Sequence, residues 1–232
     1  MSNHIAAAVA SVALLIAFAG CSASKAPKAQ YAGGGTHGHK RLVTESREMA
    51  QGAMKEKSRS KKKELALAGV DAAERCLMTA PENPGCYYWR AANTGLYHSV
   101  HIIGYQKGIK RMISDCEKVN SLDADYEHAG AYRMLGQIFT QLPQTAGRPD
   151  SVVRDLDRAE GYLRKAVQFA PDYPENHLAL AEALAAQGKG REALEALAQA
   201  DEMAPRWKKD ASYDQWRGDS LALRHKIDKR SN

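Results

Sequence analysis

From Lys61 onward the apolar residues fall at helical spacing, and no stretch alternates polar and apolar as a strand does. The clearest unit begins at Pro174. Leu178, Leu180, Ala181 and Leu184 form the apolar side of a first helix, Gly188 and Gly190 make a turn, and Ala193, Leu194, Leu197 and Ala200 line a second helix. Met203-Ala204-Pro205 ends it, because proline cannot continue a helix. Ala181, Ala193 and Ala200 are small where the two helices of such a hairpin approach most closely.

The same grammar recurs upstream. Tyr132, Leu135-Gly136 and Phe139 belong to one first helix, and Ala159, Leu163, Ala166 and Pro171 to its second. The segment between them, Leu142 to Pro149, is too rich in Pro and Gly to be helical, and Asp150 or Ser151 is placed to cap the helix that follows. An earlier unit runs from Cys86 to Leu122, with Met112, Cys116 and Val119 in its second helix; either Tyr87 or Tyr88 takes the core aromatic place in its first. Ala80-Pro81-Glu82-Asn83, Leu122 to Tyr126 and Ala170-Pro171-Asp172-Tyr173 mark three parallel helix exits. A degenerate helix over Lys62 to Thr79 precedes the units, and one over Tyr213 to Lys229 follows as a cap, since a last repeat would otherwise expose its apolar face. With a period of 34 residues from Pro171 to Pro205, the pattern resembles the tetratricopeptide repeat. The expected fold is all-α, a tetratricopeptide-like helical-hairpin solenoid with a C-terminal capping helix.

The front of the chain follows a different rule. Ile5 to Ala19 is apolar except for Ser11, too short for a comfortable membrane span but suited to the core of a signal peptide. It ends in Phe18-Ala19-Gly20-Cys21, which resembles the bacterial lipoprotein signal, although Met1 to His4 lacks Lys and Arg. That resemblance implies a leader over 1–20, lipidation of Cys21 and, with Ser22 rather than Asp next to it, an outer-membrane anchor facing the periplasm. Residues 21–60, without apolar periodicity, are expected to form a flexible linker, and residues 61–232 the repeat domain. His37 and His39 sit in a Gly-rich stretch without the further ligands a metal site needs.

Charge changes the picture little. Thirty-three Lys and Arg against 27 Asp and Glu give +6, without the concentration of a nucleic-acid footprint. The densest block, Lys55 to Lys63, suits either a solvated face or contact with anionic head groups. Beyond Cys21 there are three cysteines, none at metal-site spacing. Cys76 lies in the last turns of one helix and Cys86 starts the next, so a short antiparallel connection brings them to disulfide distance; three buried thiols is the other reading. No glycine-rich phosphate loop, HExxH, CxxC or nucleophile triad occurs, and neither an enzyme nor a cofactor is expected.

Cys86 to Gly95, Tyr132 to Gly136 with Leu142-Pro143, and Tyr162 to Ala166 through Glu182 resemble the T-component lipoproteins of tripartite ATP-independent periplasmic (TRAP) transporters. That resemblance implies a periplasmic solute-binding protein as partner and a channel for a small ligand. More generally, the repeats imply a membrane-held scaffold whose concave face binds an envelope protein or peptide. Trp89, Arg90, Asn93 and Tyr97, then Arg133 and Gln137, then Glu182 are the expected groove residues, since aromatic side chains and Arg dominate interface energy.

Overall fold

The computed structural model describes residues 38–231. Nine α-helices follow one another among them: α1 Gly38–Lys55, α2 Arg59–Thr79, α3 Pro84–Val100, α4 Tyr105–Leu122, α5 Tyr126–Gln141, α6 Leu156–Phe169, α7 Pro174–Ala186, α8 Gly190–Met203 and α9 Tyr213–Ser231. A short 3-10 turn, Ala204–Trp207, precedes α9. There is no strand among the described residues.

The helices pair as α1/α2, α3/α4, α5/α6 and α7/α8. The first members also touch in succession, α1 on α3, α3 on α5, α5 on α7 and α7 on α9. That is a solenoid: each hairpin buries its apolar side only against its neighbours. The first helices form one layer and the second helices the other.

Sequence rules account for the ends of the hairpins. Asn83 accepts a hydrogen bond from Gly85 N at 2.9 Å, with Pro84 in the first helical position. The exits of α2, α4 and α6 repeat one pattern. Ala80, Asp123 and Ala170 donate backbone N–H to Cys76, Val119 and Ala166, and the next turn closes on Ala80, Asp123 and Ala170 in the same way. Helix α6 starts later than expected. Its cap is Asp155, which accepts from Arg158 N at 3.0 Å, rather than Asp150 or Ser151. Arg154 N and Asp155 N donate to Pro143 O and Phe139 O, so the chain stays pinned to the end of α5 through residue 155.

Small residues set the spacing within hairpins. Ala50 and Ala53 meet Ala66 between α1 and α2, and Ala181, Ala193 and Ala200 are closed to solvent between α7 and α8. At Gly136 an added Cβ would lie 2.3 Å from Leu163 Cγ, so α5 and α6 need glycine for their close approach. Gly188, at φ +82°, turns α7 into α8.

The largest departure from expectation is α1. Part of the linker expected over 21–60 is a helix from Gly38 to Lys55, so the folded domain includes this segment and is not confined to residues 61–232. The segment's apolar positions are few, and most are alanine and methionine. It is ordered because Ser46, Ala50 and Ala53 pack into the crevice between α2 and α3. The leader expected over residues 1–20 and the lipidation expected at Cys21 lie outside the described residues.

Candidate functional site

Helix α1 changes the meaning of α3. The face carrying Trp89 and Asn93 meets α1 rather than an open groove. Trp89 is 1% exposed and lies edge-on to Tyr88 at 5.1 Å. Asn93 is fully buried. Its Nδ2 donates to Ser46 O, Ser46 Oγ and Trp89 O at 2.8–3.1 Å, while Ser46 Oγ donates to Gly69 O. Asn93 is therefore a polar staple joining α1, α2 and α3, and the expectation that Trp89 and Asn93 are groove residues is corrected.

Arg90 turns toward the outer layer, where its guanidinium holds Asp115 of α4 through two hydrogen bonds. Burial raises the Asp115 carboxyl even so, with Arg90 opposing the rise. Tyr97 is half-buried near the end of α3, with Lys63 Nζ 5.9 Å from its ring centre. The His98 ring fills the space over Gly108 and hydrogen-bonds His101 O, which is a packing role.

Arg133 is also corrected from groove to core. It is 4% exposed, donates to Asn176 Oδ1 at 2.7 Å and to His128 O, pairs with Glu175 and lies 5.0 Å from the Tyr173 ring centre. Tyr173 is the hub there: His128 stacks on it at 4.5 Å, and Trp207 and Trp216 meet it edge-on. The backbone beneath is unusual. Glu127, His128 and Ala129 all have φ between 51° and 56°, a left-handed turn of three non-glycine residues at the entry to α5. Arg133 and Asn176 both hold the His128 carbonyl of that turn.

Two expected residues do share a site. Gln137 on α5 and Glu182 on α7 line a cavity of about 210 Å³ that α9 closes from the other side. Its apolar wall is Leu178, Ala179, Trp216, Ala222 and Leu223. The polar rim adds Glu175, Gln215, Asp219 and Lys226. All of these lie on α5, α7 and α9, at the C-terminal end of the first-helix layer. Burial pushes the Glu182 carboxyl up to about 6, with Lys226 opposing and Asp219 reinforcing the shift. Asp219 is raised by burial as well. Trp216 Nε1 is buried without a hydrogen-bond acceptor among the described residues. The cavity thus joins an apolar floor to carboxylates that one lysine only partly compensates, a setting that favours a cation beside an apolar group.

Sequence alone does not bring α9 into a site. Trp216, Leu221 and Leu223 mark a cap in the sequence, but Leu221 is 65% exposed while Asp219 and Lys226 face the cavity. The available signal is helical spacing: residues 215, 216, 219, 222, 223 and 226 form one stripe.

The remaining chemistry is structural. Cys76 and Cys86 are joined by a disulfide with Cα atoms 5.7 Å apart, which ties α2 to α3, and Cys116 is a buried free thiol. Among the described residues no three His, Cys, Asp or Glu side chains group as a metal site would require, and no helix is long and apolar enough to cross a membrane.

Comparison with family models agrees with this architecture over part of the chain. No curated protein matches the chain. A thermophilic tetratricopeptide protein of Thermus thermophilus aligns over 79% of this chain and 99% of its own, at 18% identity and a TM-score of 0.42. Residues 154–213 match the tetratricopeptide-repeat family, a segment that runs from the start of α6 to the start of α9. With that match in its best-formed units, the chain is an all-α, tetratricopeptide-like solenoid.

Proposed function

We propose that the protein is an envelope scaffold, held at the outer membrane through Cys21, that captures a protein partner with the concave face of its repeats. One observation carries this reading: the cavity where α5, α7 and α9 meet lies in the layer of first helices, has an apolar floor and bears the partly buried carboxylates of Glu182 and Asp219. An extended segment with a Lys or Arg next to an aliphatic residue matches it. The basic group would face Glu182 and Asp219, and the aliphatic group Leu178 and Leu223. Ala222 lines the cavity from an exposed position, so Ala222→Trp fills it without disturbing the core. That variant should keep its melting temperature and lose partner capture from envelope extract. Capture at wild-type level by a well-folded Ala222→Trp protein would remove the cavity from the interface. The anchor has its own test: Cys21→Ser should stop the protein partitioning into detergent, and retention there would defeat the lipid anchor.

A second reading, the accessory lipoprotein of a TRAP-type transporter, keeps the scaffold and makes the partner a periplasmic solute-binding protein. Its support is the resemblance over Cys86 to Gly95 and Tyr132 to Glu182. The carboxylates of the cavity weigh against a wholly apolar ligand in it.

A further inference from the structure

The two edges of the solenoid differ in character. The turns within hairpins, α1–α2, α3–α4 and α5–α6, lie along one edge, and the turns between hairpins along the other. Three of the inter-hairpin turns carry exposed acids, Glu82, Asp123, Asp125 and Asp172, while the last, between α8 and α9, carries exposed Arg206, Lys208 and Lys209. The intra-hairpin edge is basic. The nine residues from Lys55 to Lys63 hold six bases and one acid, and most of them are exposed. Lys107 and Lys110 stand exposed at the start of α4, and Arg148 in the α5–α6 connection.

Contacts join these bases into one patch. Arg59 donates to Val100 O, and Lys63 lies over the Tyr97 ring, which brings the first block against the α3–α4 turn. Gln106 hydrogen-bonds both the N–H and the carbonyl of Val152, and Lys110 pairs with Asp150, which brings the third turn against α4. At the centre is the α3–α4 turn itself, where Gly104 at φ +73° reverses the chain. Ile102 and Ile103 stand out from it, 46% and 76% exposed. Two branched aliphatic side chains at the tip of a turn, ringed by lysine and arginine, are costly in water, and Ile103 above all stands clear of the core.

We propose that this edge docks on an anionic phospholipid surface, with Ile102 and Ile103 entering the interfacial layer and the surrounding bases pairing with head-group phosphates. Each base near such a surface contributes on the order of 1 kcal/mol, and buried aliphatic area adds to it. A nucleic acid would use the positive charge but has no place for the isoleucines. The docking stands without the acyl anchor and is compatible with it. Gly38 lies at the far end of α1, about 27 Å from the basic edge. The chain from Cys21 to Gly38 spans up to about 55 Å when extended, so both contacts can reach one bilayer.

The test uses the full chain and a readout confined to the edge, so that an acyl chain or leader cannot mimic it. Lysine acetylation rates are mapped by mass spectrometry in vesicles of equimolar phosphatidylglycerol and phosphatidylcholine, and again in pure phosphatidylcholine. Lys61 to Lys63, Lys107 and Lys110 should react severalfold more slowly on the anionic vesicles, while exposed Lys208 and Lys209 on the other edge keep their rates. Ile102→Ser with Ile103→Ser should abolish the protection of Lys107 and Lys110. Lys61→Gln, Lys62→Gln and Lys63→Gln together should shift the docking equilibrium by about a hundredfold. Equal rates on the two vesicles would overturn the proposal. So would protection that ignores the isoleucines but is competed by a duplex oligonucleotide, which would reassign the edge to nucleic acid.

Discussion

Glu182 carries the plainest conflict at the scale of single residues. Its carboxyl lines the cavity with Leu178, Ala179 and Leu223, and burial raises it to about 6, with Asp219 reinforcing the rise and Lys226 and the Gln141 side chain opposing it. A carboxyl raised above its unfolded value favours the folded state while both states are protonated, and that advantage is lost as pH rises through about 6. At neutral pH the ionised form therefore costs on the order of 1–2 kcal/mol. Glu182→Gln keeps the shape and removes the charge, so it should melt several degrees higher than the parent at neutral pH. The two melting curves should converge as pH falls below the ordinary carboxylate range. A gap of equal size at both ends of that range would show that ionisation of Glu182 is not the cause. A residue that lowers stability at neutral pH points to binding, because a cation placed in the cavity would relieve the same conflict.

At the scale of helices, the hairpins from α3 to α8 are legible because each carries its own periodic stripe, its small residues at the crossing and its Pro or Gly at the ends. The three exits at Ala80, Asp123 and Ala170 even share their hydrogen bonds, as their sequences suggest. Helix α1 is not legible. It has few large apolar residues, and its order comes from fitting Ser46, Ala50 and Ala53 into a crevice formed by residues far along the chain. Missing α1 has a direct consequence for the site. Without a helix in front of α3, the stripe through Trp89 and Asn93 reads as a free groove, whereas it is the seat of α1 and Asn93 is its staple. Arg133 misleads for another reason. An arginine is rarely buried, and nothing local reveals that Asn176, Glu175 and Tyr173, some forty residues on, surround it. Gln137 and Glu182 line one cavity, and both belong to well-formed repeats with a clear helical phase.

Over the whole molecule, stability in such a stack is a sum of hairpins and the interfaces between neighbours, so a local change need not spread. The buried residues form two clusters, one across α1 to α5 and one from α5 to α9, and α5 contributes to both. The only cross-link among the described residues, Cys76–Cys86, lies in the first of them and closes a short loop of sequence separation 10 between α2 and α3. In the chain-entropy model a loop of that size stabilises by about 2–3 kcal/mol. Cys116 does not compete for it, since its thiol is buried against Met134 and burial raises it well above the ordinary range. Gentle reduction should therefore loosen one end of the molecule alone. Backbone amides of α1, α2 and α3 should exchange with solvent on the order of 30- to 150-fold faster, the factor that 2–3 kcal/mol corresponds to. Amides of α7 and α8, in the segment that matches the tetratricopeptide family, should keep their rates, and α5 should mark the boundary. Faster exchange throughout, from α1 to α9 in step, would mean that the two clusters unfold as one unit and that the stack is not divided at α5. The divided behaviour has a use in the proposed setting. The cavity between α5, α7 and α9 would keep its shape while the end that carries the basic edge responds to its surroundings.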